Sequence, residues 1–366
     1  MRILEACYIS SSFRGSFLNS IIELTESLEK EGNSVDFLFP VAARNTEWCK
    51  YLEKKHTIFY VNVKHLKDVK AYLKILFILF KKNYTIIHSH YEMYDFPLTI
   101  ANKLFNKKTK IIWHCHDATI DYEHINNEII NFNKKYYLTL KPTKLIVINK
   151  YFKEFLLNIG CDAKQIILVE NGIYLKDLYK LNNNKCDKFT FSTMGWDVNI
   201  KGVDFIINAC ELLAKEGYTF KLLINGNDTT VQQLNQYFNT ENWPTYIEFQ
   251  YPQNNRMDFF NKTNVFIQAS RFETFSFSVC EALYVGLPVI CNDIDGLQWA
   301  KEFQNTKFFN KNDYLDLYKK MKECLELTPL QYNSNTQKEI EEKYSTDTWC
   351  DKIKDIYYTI NYREEN

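Results

Sequence analysis

Two glutamates eight residues apart are the first candidates for chemistry in this sequence. Glu273 lies among aromatic and hydroxyl residues after a strand-like apolar segment, and Glu281 lies in a helical segment that begins near Ser278. A helix start presents unpaired amides and the positive end of the helix dipole, which suits a diphosphate. Both carboxylates can therefore face one site, one towards a sugar and one towards a ribose. Ser278 and Glu281 also have the spacing of a capping box, so helix capping stays an alternative role for Glu281.

A lysine before a second predicted helix can hold the same diphosphate. A strand-like segment ends at Met194 and Gly195, and Lys201 and Gly202 precede an amphipathic segment. An ammonium at this place can neutralise a phosphate where the helix dipole already favours negative charge. From the local sequence alone, a solvated surface lysine is the alternative.

Histidines form a third group, because all seven lie between residues 56 and 124. The pairs His88/His90 and His114/His116 each end a predicted strand, where alternate residues share one face of a sheet. Such pairs suggest a metal-dependent hydrolase, or histidines that fill the rim of a crevice. Later strands offer no convincing carboxylate ligands, so we predict no metal site.

Alternating strand and helix patterns position these residues. In the first half, short apolar strand patterns occur at 2–9, 35–39, 57–61, 85–88, 110–114, 145–148 and 165–169. Amphipathic helix patterns occur between them at 17–30, 66–82, 98–105 and 150–158. Short apolar strands separated by helices predict βαβ units around a buried parallel sheet.

The pattern restarts after a polar, aperiodic stretch at 181–187, which is the best linker candidate. Strands are predicted at 189–194, 219–224, 246–250, 264–268 and 288–291, and helices at 202–215, 231–238 and 278–284. We therefore predict an α/β protein of two doubly wound, Rossmann-like domains, with ligands in the crevice outside the carboxyl ends of the strands. The predicted domains are 1–175 and 176–346, and a helix at 347–366 returns to the first domain.

Composition limits the class of protein and its location. The 45 basic and 45 acidic residues give no net charge, so no broad attraction to nucleic acid is expected. The ten cysteines contain no CxxC pair and lie mostly in apolar stretches, which predicts buried free thiols in a reducing compartment. The N-terminal residues predict a strand rather than a secretion signal, and no apolar run reaches the roughly 20 residues of a membrane span. We expect a cytoplasmic protein.

The segment 66–82 combines basic and large apolar residues. Its lysines are Lys67, Lys70, Lys74, Lys81 and Lys82. A basic amphipathic helix can lie on a membrane surface. Ordinary packing of this helix on the sheet is the alternative.

The segment 269–290 resembles the Glu–seven residues–Glu motif of retaining glycosyltransferases of family 4. The similarity continues through the sequences EAL at 281–283 and GLPVI at 286–290, and it extends over the whole chain. Members of this family have the GT-B fold, in which two Rossmann-like domains face each other across a crevice. The resemblance therefore implies a transferase that moves a sugar from a nucleotide-sugar donor with its anomeric configuration retained.

The resemblance also implies roles for residues that match the family pattern. Glu273 corresponds to the glutamate that contacts the donor sugar, Glu281 to the one that binds the ribose, and His116 lies against the sugar. Backbone amides between the glutamates, together with Lys201, hold the diphosphate. The residues implied in catalysis are Glu273, His116 and Lys201, and those implied in donor binding are Gly15, Asn171, Gly195, Lys201, Phe275, Ser276, Phe277 and Glu281.

Some positions depart from the family pattern. Thr274 and Ser276 stand where the family has a pair of glycines, and their backbone is less free than that of glycine. Trp196 replaces an arginine that helps to hold the diphosphate. This replacement weakens phosphate binding unless another cation, such as Arg271, substitutes for it.

The implied reaction passes through an oxocarbenium-like transition state, with the leaving diphosphate stabilised by Lys201 and helix-end amides. It requires no metal or other cofactor. We expect a glycan or lipid-linked acceptor in bacterial surface polysaccharide biosynthesis. Two alternatives stay open: a nucleotide-sugar 2-epimerase, which shares the two-domain fold, and a metal-dependent hydrolase that uses the histidine pairs.

Overall fold

The computed structural model describes residues 1–11, 14–65, 68–105, 108–116, 127–181, 187–240, 242–253, 255–326 and 334–362. The chain divides into two compact units: unit 1 is Met1–Gly172 with Thr346–Asn366, and unit 2 is Ile173–Ser345. The sequence placed the corresponding boundaries after residues 175 and 346. Most of the predicted linker at 181–187 falls outside the described residues. Leu181, at its start, donates its amide to the Val285 carbonyl over 2.9 Å, within unit 2.

A parallel sheet forms the centre of unit 1. Within the described residues its strands are β1 (Arg2–Cys7), β2 (Ser34–Phe39), β3 (Ile58–Tyr60), β4 (Ile86–His90), β5 (Lys110–Cys115), β6 (Lys144–Val147) and β7 (Ile166–Leu168). Their order is β3-β2-β1-β4-β5-β6-β7, and all neighbours are parallel. The central strand β1 is buried from Ile3 to Cys7, as expected for a sheet covered on both faces.

Helices pack on both faces of this sheet. They are α1 (Ser16–Lys30), α2 (Glu47–Glu53), α3 (Val69–Lys81), α4 (Asp95–Leu104), α5 (Asn127–Thr139) and α6 (Lys150–Asn158). Apolar residues of α3 and α4, such as Ile75 and Leu98, join a buried cluster with Leu4 and Ala6 of β1. Alternate residues of β1, including Glu5 and Cys7, point to the opposite face.

Unit 2 repeats the same architecture. Its described strands are β8 (Thr190–Met194), β9 (Lys221–Asn225), β10 (Ile247–Gln250), β11 (Val265–Gln268), β12 (Val289–Asn292) and β13 (Thr306–Phe309). Its described helices are α7 (Val203–Lys215), α8 (Asp228–Phe238), α9 (Met257–Phe260), α10 (Phe277–Tyr284), α11 (Tyr314–Glu326) and α12 (Ser334–Tyr344). The parallel strands follow the order β10-β9-β8-β11-β12-β13.

The last helix, α13 (Thr346–Tyr362), belongs to unit 1 and packs on α1. The hydroxyls of Ser20 and Thr346 lie 2.9 Å apart, and the Lys354 ammonium donates to Glu31 over 3.0 Å. Ile353 of α13 is fully buried. A chain segment that follows the whole of unit 2 therefore completes the core of unit 1.

Each sheet reverses its strand order at one point. The reversal lies between β1 and β4 in unit 1 and between β8 and β11 in unit 2. Chain connections diverge at such a point, and the carboxyl ends of the two strands leave room for a ligand. The loops after these strands carry most of the residues that the sequence singles out for chemistry.

The predicted fold class is confirmed, because both units are doubly wound parallel sheets. Each predicted strand is present in the described residues, and its ends shift by at most two positions. The sequence patterns missed β13 and the helices α2, α5, α9, α11 and α12. These elements are short or strongly polar, and in β13 three of four residues are only half-buried, so hydrophobic periodicity gives a weak signal there.

Two expectations from composition can be compared with the described residues. The nine cysteines among them are free and buried, which confirms the prediction for those positions. None of the described helices is long and apolar enough to cross a membrane.

Candidate active-site residues

Lys201 and Glu273 form an ion pair at the carboxyl ends of β8 and β11. Lys201 lies in the turn between β8 and α7, and Glu273 lies in the loop between β11 and α10. The lysine ammonium is hydrogen-bonded to Oε1 of Glu273. The two side chains are 16% and 11% exposed, and limited contact with water strengthens their attraction. The fold thus brings together two of the three residues predicted to act in catalysis.

Two polar side chains from the end of β11 hold the same carboxylate oxygen. Gln268 donates from Nε2 to Oε1 of Glu273 over 2.8 Å, and the Ser270 hydroxyl donates over 3.1 Å. Gln268 and Ser270 are both buried. Because a carboxylate only accepts hydrogen bonds, these donors fix its orientation.

Glycines let the loops around this pair approach closely. Gly202, the residue before α7, has a φ of +64°, and a Cβ there would lie 1.9 Å from the Ala269 carbonyl oxygen. A Cβ at Gly296 would lie 1.8 Å from the Glu273 carbonyl oxygen. Any other residue at either position would push the backbone apart. Gly195, predicted to bind the donor, follows β8, and its carbonyl accepts the Thr230 hydroxyl over 2.7 Å.

The chain enters α10 through a strained residue. Ser276 has φ 68° and ψ 93°, a region that residues other than glycine rarely adopt. This is one of the positions where serine replaces the glycine of the family pattern. Its side chain makes no capping hydrogen bond to the helix and instead lies 3.1 Å from the Ser278 hydroxyl. The first-turn amides of α10 are therefore not capped by the Ser276 side chain, and they can donate hydrogen bonds to an anion.

The capping-box interpretation of Ser278 and Glu281 is wrong. The helix begins at Phe277 with Ser276 as its N-cap, so Ser278 lies inside the first turn. The Ser278 hydroxyl donates to Oε1 of Gln268 over 3.2 Å. Sequence spacing could not locate the helix start, because the start depends on the unusual backbone of Ser276.

Glu281 is paired with an arginine that the sequence did not reveal. The carboxylate is 5% exposed on α10, and its Oε1 binds Nη1 of Arg256. The second guanidinium nitrogen donates to the Tyr174 carbonyl over 2.8 Å. Arg256 lies before α9 in a polar loop without a motif. The available signal was Glu281 itself, since a buried acid requires a partner.

The aromatic residues between the two glutamates have different environments. Phe275 is 2% exposed and stacks on Trp299 with ring centroids 4.8 Å apart. Its carbonyl accepts the Trp299 indole N–H over 2.7 Å. The Phe275 ring is therefore part of the packed interior of unit 2, and only its backbone amide remains to meet a ligand. Phe277 begins α10 and is partly exposed.

Trp196, which stands where the family pattern has an arginine, lies beside Lys201. Trp196 is 53% exposed, and the Lys201 ammonium is 5.6 Å from its ring centroid, within cation–π range. Arg271, the cation suggested as a substitute, binds both carboxylate oxygens of Asp204 at 2.8 and 2.6 Å. Arg271 also stacks on Phe205. It is thus engaged in a structural ion pair.

Unit 1 holds the remaining predicted residues. His116 follows β5 and Asn171 follows β7, and each is 4% exposed. Nδ1 of His116 and Oδ1 of Asn171 are 3.2 Å apart. Gly15 is the exposed N-cap of α1, and the Phe17 ring of the same helix lies 4.4 Å from the His116 ring. The fold therefore joins His116 and Asn171 directly.

The four strand-end histidines lie together on one face of the unit 1 sheet. We refer to His88, His90, His114 and His116 as the histidine cluster. All four are buried. Nδ1 of His90 is 3.0 Å from Nε2 of His116, and Nε2 of His88 is 3.2 Å from Nδ1 of His114.

Two further buried groups connect the halves of the histidine cluster. Oε2 of Glu5 on β1 is 3.0 Å from Nε2 of His90. The Tyr357 hydroxyl on α13 donates to Oε1 of Glu5 over 2.7 Å and lies 2.6 Å from Nδ1 of His88. One continuous chain of hydrogen bonds thus runs from His114 to Asn171. No sequence pattern indicated that Glu5, inside an apolar strand, takes part.

Three of these histidines are close enough to share a metal ion. The ligand atoms of His88, His90 and His114 lie within 4.8 Å of one another. However, the rings of His88 and His114 are stacked, with planes 6° apart, whereas metal ligands direct their lone pairs to one point. All of their ring nitrogens except Nε2 of His114 also already have a hydrogen-bond partner among the described residues. The geometry favours a hydrogen-bonded network over a metal centre.

Burial controls the charge of this network. Burial raises the pKa of Glu5 to about 8, partly opposed by the Tyr357 hydrogen bond. Burial lowers the pKa of His116 to about 3, and it holds the pKa of His88, His90 and His114 well below the usual value of 6.5. At neutral pH the four imidazoles and the carboxyl group are therefore uncharged.

The two units match two described protein families. Residues 19–177 match the family described as Glycosyltransferase Family 4, and residues 188–326 match the family described as Glycosyl transferases group 1. Together the two matches cover the whole unit 2 sheet and the unit 1 sheet apart from β1.

Individual proteins show the same similarity. The Staphylococcus aureus capsular polysaccharide biosynthesis glycosyltransferase CapM is 24% identical over 238 residues, covering 60% of this chain and 62% of CapM. The Acholeplasma laidlawii alpha-monoglucosyldiacylglycerol synthase is 21% identical over 341 residues, covering 81% and 82%. The structure of Anabaena Alr3699/HepE in complex with UDP and glucose superimposes with a TM-score of 0.79, at 13% identity, over 98% of this chain and all of that one. The last similarity concerns the fold.

Proposed function

We propose that this glycosyltransferase with the GT-B fold transfers a sugar from a nucleotide-sugar donor to a glycan or lipid-linked acceptor. The transfer retains the anomeric configuration and serves bacterial surface polysaccharide biosynthesis. The similarity to CapM supports a polysaccharide product. The similarity to the alpha-monoglucosyldiacylglycerol synthase supports a lipid as acceptor.

The ion pair of Lys201 with Glu273 carries this proposal. It lies at the point of unit 2 where a doubly wound sheet binds its ligand, next to the uncapped amides of α10. The lysine supplies a positive charge for a diphosphate, and the glutamate accepts hydrogen bonds from sugar hydroxyls. These are the two groups that hold a nucleotide sugar on either side of the bond that breaks.

The reaction follows from this arrangement. The bond between the anomeric carbon and the diphosphate oxygen breaks, and its electron pair leaves on the diphosphate. Lys201 and the α10 amides stabilise the developing negative charge. The acceptor oxygen attacks the anomeric carbon from the same face, and its proton passes to the departing phosphate oxygen. Oε1 of Glu273 already accepts three donors, which suits binding of the sugar rather than nucleophilic attack.

In this proposal, the positive charge that faces the diphosphate comes from groups of the protein. Lys201 and the helix N-terminus perform the work that a divalent ion performs in other phosphate sites. We therefore propose a reaction without metal or other cofactor.

Glu281 and Arg256 form the ribose side of the proposed site. We propose that the Glu281 carboxylate accepts hydrogen bonds from the ribose hydroxyls, while Arg256 holds the carboxylate in place. In unit 1, His116, Asn171 and the backbone of Gly15 contact the donor.

The exposed face of α3 supports peripheral contact with a membrane. Ala71, Ile75 and Leu79 face the core, whereas Val69, Leu73, Phe77 and Phe80 are 58–69% exposed. Lys70, Lys74 and Lys81 are exposed on the same helix, and Lys81 lies 4.2 Å from the Phe77 ring centroid. Apolar side chains flanked by lysines fit an anionic lipid surface at the cytoplasmic face.

A panel of UDP-, GDP-, ADP- and CMP-linked sugars tests the function by thermal shift. One nucleotide sugar should raise the melting temperature, and NMR of its product should show the anomeric configuration of the donor. Activity should survive EDTA. Incubation without acceptor distinguishes an epimerase, because an epimerised donor would then appear. Complete loss of activity in EDTA, restored by a divalent ion, would contradict the proposed phosphate binding and favour the hydrolase.

A further inference from the structure

A buried carboxyl group is connected to the donor-binding residues of unit 1 through imidazole rings. We propose that Glu5 determines which ring nitrogen of His116 carries the proton, and thereby which end of the Asn171 amide is presented to the donor. The contact between Asn171 and the donor rests on the proposed function. The control of the His116 tautomer rests on the hydrogen-bond geometry alone.

The end of the network at His114 sets the direction of its hydrogen bonds. Nε2 of His114 is buried and has no hydrogen-bond partner among the described residues. An unpartnered lone pair costs less than an unpartnered N–H, so the proton of His114 lies on Nδ1 and is donated to His88 Nε2. His88 then donates from Nδ1 to the Tyr357 oxygen, and Tyr357 donates to Glu5.

The protonation state of Glu5 sets the direction of the other branch. A protonated Glu5 accepts from Tyr357 at Oε1 and donates from Oε2 to Nε2 of His90. His90 must then carry its proton on Nδ1, which it donates to Nε2 of His116. His116 in turn donates from Nδ1 to Oδ1 of Asn171. Every hydrogen bond in this branch has one donor and one acceptor, and all rings are neutral.

Ionisation of Glu5 reverses this branch only. A carboxylate accepts from both Tyr357 and His90, so the His90 proton moves to Nε2. His116 then carries its proton on Nε2 and turns a lone pair towards Asn171. Two acceptors cannot face each other at hydrogen-bond distance, so the Asn171 amide rotates and donates to the ring.

Asn171 is the residue through which this change reaches the ligand. Its only hydrogen bond within the described part of the chain is the one to His116. With Glu5 protonated, the amide nitrogen is left to donate to a donor-sugar oxygen. With Glu5 ionised, the amide oxygen takes that place. A sugar oxygen that accepts a hydrogen bond from the amide nitrogen is bound less well when the amide oxygen faces it, because two acceptors then meet.

Several titratable groups face Glu5, and none of them supplies a positive charge at neutral pH. Those in direct interaction with Glu5 are Cys7 on β1, His88 and His90 on β4, and Tyr357 on α13. The next groups along are His114, His116 and Cys350, which interact with His88, His90 and Tyr357. Burial keeps the histidines neutral, and it raises the pKa of the thiols and the phenol. Because burial raises the pKa of Glu5 to about 8, the switch falls within a range accessible to experiment.

The test is the tautomer of His116, read by NMR of protein labelled with 15N-histidine. The one-bond and two-bond couplings of the ring identify the protonated nitrogen. Below the pKa of Glu5 we expect the proton on Nδ1, and above it on Nε2. In Glu5→Gln it should stay on Nδ1 at every pH, because a glutamine amide donates to His90 and accepts from Tyr357 as the protonated acid does.

Three results would overturn the inference. They are an Nε2 proton on His116 below the pKa of Glu5, a pH-dependent switch that persists in Glu5→Gln, and stoichiometric bound metal whose removal changes the histidine signals. The wild-type titration needs no variant, so it decides the matter even if Glu5→Gln does not fold. Tyr357→Phe is a second variant, and it should perturb His88 and His114 while His116 keeps its Nδ1 proton.

Kinetics separate this inference from the proposed function. In the wild-type protein the donor KM should rise roughly 3- to 10-fold through the pKa of Glu5, equivalent to about one hydrogen bond, with a smaller change in kcat. Glu5→Gln should lack this rise. A protein that shows the tautomer switch but transfers no sugar would refute the proposed function alone. Normal transfer with a fixed His116 tautomer would refute this inference alone.

Discussion

The ammonium of Lys201 is bound to Oε1 of Glu273, although the two residues are 72 positions apart in the chain. The pair joins the group proposed to stabilise the leaving phosphate with the group proposed to hold the sugar. An anionic diphosphate must therefore share or replace the carboxylate at Lys201 when it binds. The same contact affects product release, because Glu273 competes with the nucleoside diphosphate for the lysine.

Glu273→Gln should separate catalysis from nucleotide binding. We expect kcat to fall about 100-fold or more, which corresponds to roughly 2.7 kcal/mol of lost transition-state stabilisation. Free nucleoside diphosphate should bind up to about 10-fold more tightly, because a neutral amide no longer competes for Lys201. Steady-state kinetics and calorimetric titration measure the two effects. A variant that turns over like the wild type would show that Glu273 does not contact the reacting sugar.

Glu281→Gln should act mainly on donor affinity and on stability. The ribose does not react, so the donor KM should rise more than kcat falls. Removing the charge leaves the partly buried Arg256 without its anion, and this should lower the free energy of unfolding by about 1–3 kcal/mol. Arg256→Gln should destabilise similarly, and the double variant should cost less than the sum of the two. Full additivity in this cycle would contradict the ion pair.

Ser276→Gly should stabilise the protein. The positive φ of Ser276 costs a residue with a Cβ about 1–2 kcal/mol, and the greater freedom of glycine in the unfolded chain offsets part of the gain. We expect the free energy of unfolding, measured in urea, to rise by up to about 1 kcal/mol. Ser276→Ala is the control, since it keeps the Cβ and removes only the hydroxyl. If alanine stabilised as much as glycine, backbone strain would not be the cause.

Stability should depend on pH through Glu5 with a defined sign. The pKa of Glu5 is about 8 in the folded protein against 4.5 ordinarily, so folding favours the protonated acid. The stability of the wild type relative to Glu5→Gln should therefore fall as pH rises between these values, by up to about 1.4 kcal/mol per pH unit.

The histidine cluster contributes with the opposite sign. Its lowered pKa values mean that stability is lost as pH falls below 6.5, where free histidines take up protons. Thermal unfolding of the wild type and of Glu5→Gln between pH 4.5 and about 8 measures the difference in stability between them. A difference that did not change with pH would show that Glu5 is ionised in the folded state.

Replacing the exposed apolar residues of α3 should weaken membrane binding. Leu73→Ser combined with Phe77→Ser should greatly reduce sedimentation with vesicles containing anionic lipid, because it removes the side chains that would insert. The matched control is Phe132→Ser, an equally exposed aromatic residue on α5. Equal binding of both variants and the wild type would exclude α3 as the contact.

The fold could be predicted because it depends on local hydrophobic periodicity. Buried parallel strands are short apolar runs, and the amphipathic helices between them repeat every three to four residues. Glu273 and Lys201 could also be predicted as candidate site residues, since each follows a recognisable strand and precedes a helix. Their direct contact could not be predicted, because it depends on the order of strands in the sheet.

The partners of buried charges could not be predicted in the same way. Arg256 lies 25 positions from Glu281, and Tyr357 lies 352 positions from Glu5. No local pattern encodes such distances. The capping-box prediction failed for a related reason, because a backbone angle at Ser276 outside the usual range moved the helix start. Sequence patterns thus located Glu273, Lys201 and Glu281, but not Arg256 or the buried Glu5 and its partner Tyr357.

The place of α13 in unit 1 has a consequence for how the protein forms during translation. Unit 2 is an insertion between the first 172 residues and the helix that completes their core. On the ribosome, unit 2 can fold before unit 1 is complete. Until α13 is available, Glu5 and His88 lack their hydrogen bonds to the Tyr357 hydroxyl. A nascent chain stalled with residues up to 345 outside the exit tunnel and the last helix still inside should therefore show unit 2 resistant to protease and unit 1 still sensitive. Full protection of unit 1 would require the last helix to emerge from the exit tunnel.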